Sequence, residues 1–114
     1  MSIQQIEKYM WRPFFDSVTK SLAGSLAEVE VASLDLGDQI AAEWTPLFGI
    51  SYDPKDDIVD VALEGLDHRV RAPRDIYVDF DASGLVSLAI IDADNVQQIV
   101  KLKNPLALPP AAVH

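Results

Sequence analysis

Residues 45–64, T-P-L-F-G-I-S-Y-D-P-K-D-D-I-V-D-V-A-L-E, constrain this chain more than any other stretch. Two apolar runs, 47–52 and 58–63, flank a turn made of Asp53, Pro54, Lys55, Asp56 and Asp57. In the second run Val59, Val61 and Leu63 alternate with Asp60 and Ala62, the period of two of a half-buried strand. Proline presets φ for a turn, and aspartates hydrogen-bond their own backbone there. The stretch predicts a β-hairpin with one face towards a core.

The flanking segments repeat this logic. From Leu26 onward Ala27, Val29 and Val31 alternate with Glu28 and Glu30. Gly37 serves the next connection, and a second strand places Ile40, Ala42 and Trp44 on one face. Pro46 and Gly49 then predict a bulge or edge and a sharp bend or close backbone approach, the irregularities that let a long strand curl. Further runs are expected at 68–72, 76–80, 86–90 and 96–103, separated by turns at 65–67, 81–84 and 92–95. Such short connections imply antiparallel neighbours.

Before Leu26 the period is helical. Ser2 followed by Gln5 fits a capping box and predicts a short helical turn over 3–8. Pro13 suits a first helical turn, so the main helix is placed at 12–23, ended by Gly24. Phe14, Val18 and Leu22 recur at i, i+4 and i+8 beside Trp11 and Phe15, a stripe suited to lie on the domain's own sheet.

The expected fold is therefore mainly β (α+β): an N-terminal helix, then a bent antiparallel meander of five or six strands forming a small barrel or half-barrel. Residues 1–103 are expected to form one globular domain. Residues 104–114, with Pro105, Pro109 and Pro110, are expected to form an extended arm packed along the barrel or a neighbouring chain. An Sm-like barrel has the same order of elements, an analogy of topology alone.

The segments W-R-P-F-F-D-S-V-T-K (11–20), E-V-E-V (28–31), L-G-D-Q (36–39) and P-L-F-G-I-S-Y-D-P-K-D-D (46–57) carry a resemblance. So does H-R-V-R-A-P-R-D-I-Y-V (68–78), similar to an H-x-I-x-x-P block. Together they resemble a bacterial domain-of-unknown-function family (number five-three-three-five). The resemblance implies no activity, substrate or cofactor, and the proline-rich tail departs from that family's pattern.

Function is approached by exclusion. With no cysteine, disulfides, thiolate metal sites and a cysteine nucleophile are absent from the 114 residues. Eighteen acids against nine bases, net −9, repel phosphate backbones and anionic surfaces, so neither nucleic acid nor membrane is expected as partner. The start of the sequence lacks a basic-then-apolar leader, which points to a cytoplasmic protein. Asp53, Asp56, Asp57 and Asp60 do not have the spacing of a calcium loop, and two histidines make no metal cluster. No metal, cofactor or catalytic group is expected, and an enzyme is the less favoured reading.

Against the acidic background stand His68, Arg69, Arg71 and Arg74, a candidate site for an anion or carboxylate. The plainer reading is ion pairing with Glu64, Asp67 and Asp75. Trp44, Tyr52 and His68 are candidates for a pocket at the barrel mouth. The favoured function is a non-catalytic interaction module, homo-oligomeric through a sheet edge or the C-terminal tail. A small-molecule binder or enzyme is the alternative, and an RNA-binding role through the arginines is disfavoured by charge.

Overall fold

The alternation read from residue 26 onward becomes a continuous ladder of strands. The structure, a computed structural model, describes residues 2–108; the part of the expected tail at 109–114 lies outside them. The elements are β1 (Ser2–Gln5), α1 (Lys8–Ser21), β2 (Leu26–Ser33), β3 (Gly37–Asp53), β4 (Ile58–Leu63), β5 (Leu66–Arg71), β6 (Pro73–Asp81), β7 (Gly84–Asp92) and β8 (Gln97–Leu106). All pairings are antiparallel, in the order β1-β6-β7-β8-β2-β3-β4-β5. The sheet is curled but not closed, so of barrel and half-barrel the second describes it. It has eight strands among the described residues, more than the five or six expected.

The 17-residue β3 explains the curl. Its first half pairs with β2 and its second with β4, and the change of partner falls at Pro46. Leu26↔Pro46 belongs to the first ladder and Leu47↔Leu63 to the second, so a residue without an N–H stands where no continuing ladder needs one. Register shifts lie on both sides of this point, and Trp44 within them has φ +44°. Bulges bend a strand and increase its twist.

β6 stands second from one edge of the ladder and β5 is the last strand at the other, yet Ala72 alone joins them. The sheet must therefore bend until these parts meet at one corner. Ala72 holds that corner with φ +50°, donating its N–H to Asp57 O and accepting from Ala93 N–H, each at 3.0 Å.

Helix α1 lies mainly against β3. Trp11, Phe14, Phe15 and Val18 are fully buried, joining the inward residues of both halves of the sheet in one core. Thr19 Oγ1 donates to Ile50 O at 2.8 Å and accepts from Ile50 N–H at 3.0 Å. One hydroxyl thus satisfies both backbone groups on the edge of β3 that β2 no longer covers. Gly49 permits the approach, since a Cβ there would lie 3.1 Å from Thr19 Cγ2.

The N-terminus departs from expectation. Residues 2–5 form a strand, because β6 offers an unpaired edge and Ser2↔Phe80 through Gln5↔Tyr77 fill it. Long-range pairing here outweighs the capping-box pattern. The helix begins at Lys8 and runs through Pro13. Pro13 and Tyr9 are both exposed, so the carbonyl deprived of its donor faces water. At the other end β8 continues past Lys103 to Leu106, which is buried, and Leu108 packs on the core. Pro105 is tolerated because the β7–β8 ladder is interrupted between Ser87↔Lys101 and Leu85↔Leu106.

Candidate functional site

The residues singled out by sequence are placed on different surfaces. His68 faces inward across from Val61, and its Nε2–H donates to Gln98 Oε1 at 2.5 Å, tying β5 to β8. Arg69 and Arg71 lie on the outer face, opposite Asp60 and Ile58. Arg74 is at the start of β6, paired with Asp75 at 2.9 Å and donating to Asn95 Oδ1 at 2.6 Å. Tyr52 is buried on the inner face, where its ring meets Trp11 edge-on at 5.1 Å. Its hydroxyl donates to Asp57 Oδ1 at 2.7 Å. Arg69 and Arg71 share a face; the other candidates do not converge with them.

On that outer face Ser51, Asp60 and Arg69 form one cross-strand row, and Asp53, Ile58 and Arg71 the next. Ser51, Asp53, Ile58, Asp60 and Arg69 border a hollow of about 310 Å³ with Asp56. Asp60 Oδ1 is buried without a protein partner. Burial pushes the Asp60 carboxyl above its ordinary 3.8, Asp67 adds to the shift, and Arg69 opposes it. A carboxyl whose folded value is raised contributes stability below its unfolded value, lost as pH rises through the folded one. Asp60→Asn should therefore melt higher than the wild type at neutral pH. That difference should shrink on acidification and vanish below 3.8. Melting curves that stay parallel across this range would show that ionised Asp60 is not penalised.

Trp44 belongs to a different surface. Among the described residues, eight large apolar side chains stand exposed, and five of them fall between Leu34 and Phe48. Leu34 and Leu36 occupy the β2–β3 turn, while Ile40 (50% exposed), Trp44 (38%) and Phe48 (62%) follow along β3. The strand alternation expected to keep Ile40, Ala42 and Trp44 on one face fails. Ala42 is buried and the other two are exposed, because register shifts on either side of Ala42 rotate the chain. Residues 34–48 carry Asp35, Asp38 and Glu43 and no lysine or arginine. The outward Glu30 lies across from Ile40, with Lys101 bridging it and Glu28 at 3.3 and 3.8 Å. Leu36, Ile40, Trp44 and Phe48 recur every fourth residue, a spacing that bulges can turn outward but that a regular strand would read differently.

These features define a small, mainly β domain: a curled open sheet, a helix docked along its divided strand, and an acidic exterior crossed by exposed apolar side chains. The chain belongs to the family described as a family of unknown function (DUF5335), whose model matches residues 2–111. It is similar to an uncharacterised protein of Aquifex aeolicus (strain VF5), 33% identical over 110 residues, 96% of this chain and 99% of that protein. No solved structure matches it. No helix among the described residues is long and apolar enough to cross a membrane.

Proposed function

We propose that this protein is a non-catalytic interaction module whose docking surface is the exposed apolar stripe of residues 34–48. The observation that carries the reading is the concentration of Leu34, Leu36, Ile40, Trp44 and Phe48 in one turn and one strand. Contiguous exposed apolar side chains rimmed by polar residues favour interaction. Three of the titratable groups singled out by sequence support the same reading, since Tyr52, His68 and Arg74 are engaged by intramolecular partners.

Charge selects the partner. Asp35, Asp38 and Glu43 border the stripe, so its complement is an extended segment with apolar side chains and flanking lysines or arginines. A second copy of the same surface would set these acids against their own equivalents.

The test uses two synthetic strand-forming peptides, one alternating leucine with lysine and the other leucine with glutamate, followed by amide NMR shifts. The basic peptide should perturb residues 34–48 and the acidic one should not. The pair Leu36→Ser and Phe48→Ser should remove binding while leaving the melting temperature within a few degrees, as exposed substitutions do. Equal binding of both peptides, or binding indifferent to the pair, would refute the proposal. A wild-type dimer in sedimentation that the same pair dissociates would replace it with self-association.

A further inference from the structure

A second surface, independent of the stripe, has the chemistry of a ligand site. Lys8, Tyr9 and Arg12 on α1 face Tyr52, Pro54 and Asp57 across a cleft of about 590 Å³. Lys8 and Arg12 are i and i+4 on the helix, so two like charges sit one turn apart, an arrangement that disfavours the helix when nothing lies between them. Neither has an ion-pair partner among the described residues, although the chain holds twice as many acids as bases. An oxyanion between the two cations would relieve their repulsion and accept charge-assisted hydrogen bonds from both.

The opposite wall sets the rest of the ligand. Asp57 is the carboxylate of the cleft, and one of its oxygens is engaged by the Tyr52 hydroxyl at 2.7 Å. Burial and that hydrogen bond push the Tyr52 phenol up to about 12, so it stays a neutral, fixed group rather than an acid or base. Its proton is committed to Asp57, and its oxygen keeps acceptor capacity. The Tyr9 ring, largely exposed, and the Pro54 ring give flat apolar surface at the rim. Lys8 Nζ lies 5.7 Å from the Trp11 ring centre, which positions the cation and places an indole beside the cleft. We propose that this cleft binds a small molecule bearing a phosphate or carboxylate on a planar ring, the oxyanion held by Lys8 and Arg12 and the ring against Tyr9.

Trp11 serves as the reporter. The chain has two tryptophans, so Trp44→Phe leaves Trp11 as the single emitter. Titrating that variant with phenyl phosphate, benzoate and inorganic phosphate should give a saturable change in emission. The ring-bearing anions should bind more tightly than inorganic phosphate, and the tighter of the two identifies the headgroup. Adding Lys8→Gln and Arg12→Gln should weaken binding about tenfold or more, the usual consequence of losing hydrogen bonds from charged groups. Tyr9→Ala should bring phenyl phosphate down to the affinity of inorganic phosphate. All three side chains are exposed, so the melting temperature of each variant verifies that the fold is kept. An emission unchanged through millimolar ligand would overturn the proposal. So would a response that survives loss of both cations, or benzyl alcohol binding as well as phenyl phosphate.

Discussion

Phe14→Ala is expected to lower the free energy of unfolding by about 3–5 kcal/mol in urea denaturation, the range for truncating a fully buried aromatic. Phe14 has no exposed surface and packs against Phe15 with ring centres 5.7 Å apart. Its effect is enlarged by how little else holds α1. The N-cap residue Glu7 makes no side-chain capping bond, and Pro13 removes a backbone donor from the helix interior. Such a helix derives its stability from packing rather than propensity. Asp16→Ala on the opposite, exposed face provides the control and should stay within about 0.5 kcal/mol. A loss below about 1 kcal/mol for Phe14→Ala would mean that the helix does not depend on this contact.

Gly84→Ala should be the most damaging glycine substitution in the chain, costing about 3 kcal/mol or more from backbone strain and overpacking together. Gly84 has φ +138°, and an added Cβ would stand 2.3 Å from Leu106 O and 2.7 Å from Leu106 C. Both obstacles are backbone atoms, so no rotamer change relieves the clash. The end of β8 would have to lift away, exposing Leu106 and breaking its pairing with Leu85. Gly65→Ala separates strain from crowding: its φ is +75° with nothing within 4 Å, and only about 1–2 kcal/mol is expected there. Equal losses at Gly65 and Gly84 would contradict the close approach of the two backbones.

Much of this architecture is legible in local pattern. The alternation of Val59, Val61 and Leu63, the helical spacing of Phe14 and Val18, and the bend at Pro46 and Gly49 each report a nearby physical demand. What local pattern does not carry is competition from distant partners. Ser2 and Gln5 read as a capping box until β6 supplies a ladder for them, and Pro105 reads as a strand breaker until the β7–β8 interruption accommodates it. The exposed stripe was hidden for a related reason. Apolar residues in alternation imply burial, and only the bulges around Ala42 turn Ile40 and Trp44 to solvent. The cleft was hidden by the misplaced helix start: with 3–8 read as a separate turn, Lys8 and Arg12 are not one turn apart on a common helix.

The order of the sheet bears on how the chain is made. β8 pairs with both β7 and β2 and so lies inside the sheet, yet a ribosome produces it after every other strand among the described residues. Until it emerges, β2 and β7 each carry an open hydrogen-bonding edge, and Val29 and Leu88 lack the neighbour Val100 that the finished sheet gives them. β1 meets a matching delay, since Ser2 must wait for Phe80. Contacts of such long sequence separation slow folding, because loop closure comes before any gain. α1 and the consecutive strands β2 to β5 can pair in their order of synthesis, but the sheet stays in two pieces until β8 joins β2 to β7. The net charge of −9 opposes association of neighbouring copies through such open edges.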